Sequence, residues 1–164
     1  EYKNSIRERL EKEAKEREKI EFENKLIDKI VEESEVDIPE AMIEHQIEHE
    51  INDFNYRLRL QGLDLDQYLN LTNSKLEDLK KQIRPVAEKR VKTDLVLEAI
   101  GKKENVKVTE EDIDKELEKI AKEYNQEDID KFKENMKKGD LSFLEAGIMR
   151  DKIIDLLVSN AKII

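Results

Sequence analysis

The chain has 164 residues, 44% charged and 37% apolar, with a net charge of −10, four Gly, two Pro, and neither Cys nor Trp. An ordinary globular domain is nearer ~25% charged and ~45–50% apolar, so a core can form here without taking in every apolar face. An acidic excess with interleaved signs argues against nucleic acid, which is read through a basic stripe, and against anionic membrane surfaces.

The lack of Cys excludes a disulfide framework and fits a reducing, cytoplasmic setting. No apolar run approaches the ~20 residues of a membrane span, and no signal-peptide pattern opens the chain. It begins at Glu1, without Met, on a helical pattern, and is expected to be a piece of a longer protein.

Tyr2 to Val31 reads as one long helix with Ile6, Leu10, Ala14, Ile20, Ile27, Ile30 and Val31 roughly on one face. Glu13, Arg17 and Asn24 interrupt a strict heptad seam, which weakens a coiled-coil reading. Ser34 to Asp37 breaks the helix, and Pro39 suits the first position of the next. That helix runs to Gln61 on Met42, Ile43, Ile47, Ile51, Phe54 and Leu58, with Gly62 as a left-handed stop. A short helical turn surrounds Tyr68 and Leu69.

Ser74 and Glu77 form a capping-box pattern opening a third long helix. Its stripe is Leu76, Leu79, Ile83, Ala87, Val91, Leu95 and Ile100, closed by Gly101, with a kink expected near Gln82 from Pro85. After an extended link over 105–108, Thr109 caps a helix through Asp112, carrying Ile113, Leu117, Ile120 and Tyr124. A second short helix carries Ile129, Phe132 and Met136 and stops at Gly139, making a helical hairpin. The last helix runs from Asp140 to Lys162 on Leu141, Leu144, Ile148, Ile153, Leu156 and Leu157, with Gly147 at a close helix contact. No alternating strand is found, and the fold class is all-α.

A helix over residues 2–31 is about 45 Å long at ~1.5 Å per residue. A compact domain of this size has a radius of gyration near ~15 Å. Helices are therefore expected to project, giving an elongated multi-helix domain.

Sites of covalent chemistry are poorly supported. His45 and His49 are spaced to share one helix face, but Gln46 stands where a metalloprotease motif needs Glu. With no Cys and no third His, they read as surface histidines rather than a metal site. Asp64 with Asp66, and Asp112 with Asp114, sit at helix starts and read as caps. No Gly-rich phosphate loop is present. No cofactor, metal or catalytic residue is expected, and an enzyme is not.

Residues 83–100, Ile-Arg-Pro-Val-Ala-Glu-Lys-Arg-Val-Lys-Thr-Asp-Leu-Val-Leu-Glu-Ala-Ile, resemble the long arm helix of trigger factor, a family of bacterial ribosome-associated chaperones. Ile38-Pro39-Glu40 is similar to the start of that family's preceding arm helix, and residues 106–112 to its link into a second arm. The order of elements agrees from Tyr2 to Ile164.

The resemblance implies the family's C-terminal domain alone, a body with two projecting helical arms as also seen in SurA-like chaperones. Residues 1–37 would be a long body helix, 38–101 arm one, 102–139 arm two and 140–164 the final body helix. Ribosome-binding and prolyl-isomerase domains are not implied for this chain, nor is the linker that completes the body in the family. Expected partners are unfolded or nascent polypeptides, with the ribosome reached only through the missing N-terminal domain, and self-association is possible in an open cradle.

Ile120, Tyr124, Ile129, Phe132 and Met136 match the family's substrate-contacting patch on arm two, though the turn between the helices is one residue shorter. They can equally serve to pack the hairpin on itself. Met42, Phe54, Leu58, Tyr68 and Leu69 are candidates on arm one, where packing is the stronger reading. The stripe Leu76, Ile83, Ala87, Val91 and Leu95 is assigned to structure. The function implied is an ATP-independent holdase; the alternative is a helical adaptor that binds one folded partner.

Overall fold

The computed structural model describes residues 2–161, which form seven α-helices. They are α1 (Tyr2–Glu33), α2 (Glu40–Leu60), α3 (Leu65–Thr72), α4 (Leu76–Lys103), α5 (Glu110–Glu123), α6 (Ile129–Lys137) and α7 (Ser142–Asn160). No strand occurs among the described residues, so the all-α class holds. The extension of the last helix to Lys162 falls outside them. The chain divides into two compact units, one of Val31–Val96 and one joining Glu1–Ile30 with Leu97–Ile164.

The Val31–Val96 unit is built on residues four apart. Ile43, Ile47 and Ile51 of α2 are buried with Ala87 of α4, and Ile38, Leu65 and Ile83 pack against them. Four-residue spacing keeps each set on one helix face, and the small Ala87, with no exposed surface at all, allows a close approach. Each fully buried Ile is worth roughly 1.5–3 kcal/mol. The assigned stripe of α4 is buried at Ala87 and Val91 and half-buried at Ile83 and Leu95. Leu76, at the first residue of the helix, is exposed instead.

Polar ties align the same helices. The Arg84 guanidinium meets Glu40 at 2.6 Å, Glu44 at 3.4 Å and Glu88 at 2.8 Å, and Arg90 meets Glu50 at 3.0 Å. These pairs are solvated and add little stability; they favour one pairing of α2 with α4. Asn55 of α2 accepts the Leu65 N–H at 3.1 Å, which seats the start of α3.

In the other unit, Leu117 and Ala121 of α5 and Ile148 and Ile153 of α7 are buried. Asp114 of α5 is bound to Lys137 of α6 at 2.5 Å. Gly101 lies inside α4, where an added Cβ would stand 2.7 Å from Ile153 Cδ1. Gly147, by contrast, has nothing within 4 Å of that position. The expected roles of these glycines are therefore exchanged: Gly101 is the close contact and not the helix stop, and Gly147 is open.

The stop for α4 is Asn105, at φ 51°. Its N–H bonds to the Lys102 carbonyl at 3.2 Å and the next N–H, of Val106, to Gly101 at 2.9 Å, a Schellman arrangement. The same pattern recurs at Gly62, Asn73 and Asn125, all at positive φ. Gly139 has no positive φ.

Two capping boxes are formed, Asp64 with Gln67 and Thr109 with Asp112. The third, expected at Ser74, is replaced: the Ser74 hydroxyl donates back to the Thr72 carbonyl at 3.3 Å, and α4 opens at Leu76. Pro39 stands just before α2 as its cap residue rather than as its first residue. Helix α4 runs on through Pro85.

Candidate functional site

The apolar candidates divide between the two units. In the Val31–Val96 unit, the rings of Phe54 and Tyr68 meet edge to face at 5.0 Å, joining α2 to α3. Leu69 is half-buried beside Tyr68 in sequence, and Met42 is exposed. Leu58 is buried and belongs with the core, so it offers no surface in this conformation.

In the second unit the hairpin candidates divide by depth. Ile120, Ile129 and Phe132 are half-buried. Tyr124 closes α5 and is 72% exposed, and Met136, in the last turn of α6, is 41% exposed. The hairpin thus half-buries one set of its apolar candidates and leaves another exposed. Helix α6 contributes no buried residue at all.

The structure adds a residue the sequence pattern passed over. Phe143, in the first turn of α7, is 91% exposed. It lies between Leu141 and Leu144, off their stripe, and an aromatic off-stripe in a helix otherwise read as packed was the available signal. Tyr56, Leu60, Leu71 and Val86 are likewise exposed. An open groove of about 370 Å³ runs along the second unit, with Gly101, Val106, Met149 and Ile153 among its lining residues.

Charged side chains tie the elements of the second unit together. Lys152 of α7 bonds to the Asp112 carboxylate at 2.6 Å and to the Lys107 carbonyl at 2.8 Å. The ammonium hydrogen bond, with those from the Thr109 N–H and hydroxyl, holds the Asp112 carboxyl far below the usual carboxylate range. Lys137 likewise lowers Asp114. Asp128 accepts the Lys131 N–H at 3.0 Å and caps α6.

The His45 and His49 rings approach edge to face at 4.7 Å. No group of three or more His, Cys, Asp or Glu among the described residues is placed to hold a metal. No helix among them is long and apolar enough to cross a membrane.

The fold alone places the chain in the class of all-α multi-helix domains. A family profile described as "Bacterial trigger factor protein (TF) C-terminus" matches residues 1–159. Trigger factor of Alkaliphilus oremlandii is 47% identical over 161 residues, covering 98% of this chain and 37% of that protein. Trigger factor of Acetivibrio thermocellus is 45% identical over 164 residues, covering 100% and 38%. A solved structure of trigger factor domains from Thermotoga maritima superposes with a TM-score of 0.62 at 23% identity, covering 85% of this chain and 81% of that one. The chain belongs to the trigger factor family and corresponds to its C-terminal region. It spans 37–38% of the length of these two relatives.

Proposed function

We propose that this chain is an ATP-independent holdase domain, binding unfolded or nascent polypeptides through dispersed apolar faces set in a charged frame. The observation that carries the reading is the exposure of Tyr124, Met136 and Phe143 in one unit of a strongly charged chain. A client side chain covering one of them gains roughly 1.5–3 kcal/mol. Several such contacts give reversible binding that tolerates many sequences, and spacing them along one chain adds avidity. Met, with its adaptable thioether, suits a surface that repacks around varied partners. Family membership supports a chaperone role; ribosome docking and prolyl isomerisation are not proposed for this chain.

The test is suppression of aggregation of a chemically unfolded model protein, with Tyr124→Ala/Phe143→Ala beside the parent. Both side chains are exposed, so helicity by circular dichroism is expected to be unchanged while suppression weakens. Equal suppression by parent and variant would remove these residues from the site. Binding of one folded protein in preference to unfolded chains would favour an adaptor.

A further inference from the structure

The chain's two histidines stand one turn apart on α2. His45 and His49 are both exposed, with ring centroids 4.7 Å apart and ring planes at 74°. Ile43, Ile47 and Ile51 turn the other side of the helix into the core. His49 follows Ile47 by two residues, about 200° around the axis, and so lies nearly opposite it. The packing of α2 therefore holds both imidazoles in water on one face, a single turn apart.

We propose that His45 and His49 together chelate one late first-row divalent ion, of the Ni²⁺ or Cu²⁺ kind, in an open site completed by water. With a metal–nitrogen bond of ~2.0–2.1 Å and a ring centre about 1.2 Å behind the nitrogen, two imidazoles at right angles about one ion have centres about 4.6 Å apart. The observed 4.7 Å matches that spacing. Both rings are exposed, so each can turn about its broad terminal torsion until a nitrogen faces the ion.

The donor set chooses the ion. Imidazole nitrogen favours late first-row metals over Mg²⁺ and Ca²⁺, which take oxygen. No third His, Cys, Asp or Glu among the described residues completes the pair. That disfavours a closed structural zinc site and suits tetragonal ions that keep water in their remaining positions. Glu40, Glu44, Glu48, Glu50 and Asp53 lie along residues 40–56, a stretch without Lys or Arg, and such a field draws cations in. Arg84 and Arg90 of α4 offset it at Glu40, Glu44 and Glu50. Chelation across one turn closes only while α2 is helical, so the ion stabilises the Val31–Val96 unit by mass action. An edge-to-face contact of the rings without affinity for an ion is the competing account. The inference is independent of the client-holding reading.

Isothermal titration calorimetry of the whole, untagged chain with Ni²⁺, Cu²⁺ and Mg²⁺ tests the chelate. Ni²⁺ and Cu²⁺ are expected to bind one ion per chain with a Kd in the micromolar range, Cu²⁺ the tighter, and Mg²⁺ to give no such binding. His45→Gln or His49→Gln alone is expected to weaken Ni²⁺ at least ~tenfold. Both side chains are exposed, so helicity by circular dichroism should not change. His45→Gln/Asp53→His rebuilds the pair one turn further along, at positions 49 and 53, and is expected to restore binding. Saturating Ni²⁺ should raise the urea midpoint of the parent and leave that of His49→Gln where it was. Absence of binding by both Ni²⁺ and Cu²⁺ up to ~1 mM overturns the proposal. So does equal affinity in the parent and both single variants, which would assign the ion to carboxylates, or one ion shared between two chains.

Discussion

Gly101 and Gly147 are both helical glycines, and only their surroundings separate them. An Ala side chain relieves the entropic cost of Gly in a helix by ~1 kcal/mol. At Gly147 that gain is unopposed, since nothing lies within 4 Å of the new methyl. At Gly101 the methyl would meet Ile153, which is buried, at 2.7 Å, and overpacking of a core costs ~1–3 kcal/mol. Gly147→Ala is therefore expected to raise the thermal midpoint and Gly101→Ala to lower it. A rise for both would mean that Ile153 swings aside at no cost. The sequence could not separate the two, because the partner that makes Gly101 special lies 52 positions further along the chain.

Among the elements, the start of α5 couples cap, charge and packing. Asp112 completes the capping box with Thr109 and holds Lys152 of α7. Its carboxyl is lowered in the folded chain, first by the Lys152 hydrogen bond and then by those from Thr109. A carboxyl lowered on folding contributes stability that is fully present above its unfolded value, near ~3.9, and is lost as pH falls below it. The Asp112 contribution thus holds from about pH 5 upward and fades through pH 4 and below. Thermal melts are expected to show a smaller acid-side loss in Asp112→Asn, along with lower stability at pH 7; an identical pH profile would disprove the coupling.

Helix positions were legible because their signals are local. The Thr109 box, the Gly62 stop and the four-residue apolar spacing of α2 lie within a few residues of one another, and the observed boundaries follow them closely. Asn73, Asn105 and Asn125 give a weaker stop signal, since Asn takes the left-handed conformation less freely than Gly. The Ser74 pattern predicts a capping box, but its hydroxyl finds a competing acceptor in the turn before it. The candidate faces were harder still. Periodicity finds apolar stripes, but whether Leu58 is covered or Phe143 left in water depends on tertiary neighbours.

For the chain as a whole, the small apolar share concentrates stability in few positions. Ile47 is 2% exposed at the centre of the Val31–Val96 core. Truncation of such a residue to Ala costs ~2–5 kcal/mol, set against the ~5–15 kcal/mol that holds a typical domain folded. Ile47→Ala should shift urea unfolding of that unit strongly to lower denaturant. A shift worth under ~1 kcal/mol would show that the core is not concentrated there. The net charge of −10 opposes association of a chain with so many exposed apolar side chains.

The left-handed stops at Gly62, Asn73, Asn105 and Asn125 also bear on how the chain reaches its fold. Each closes through bonds spanning three and five residues, and loops that short close within ~10–100 ns. Helix ends can thus be marked before distant segments meet, and helix-rich chains with mostly local contacts fold quickly. A protein whose proposed task is to shield the unfinished chains of others would then spend little time as an unfinished chain itself.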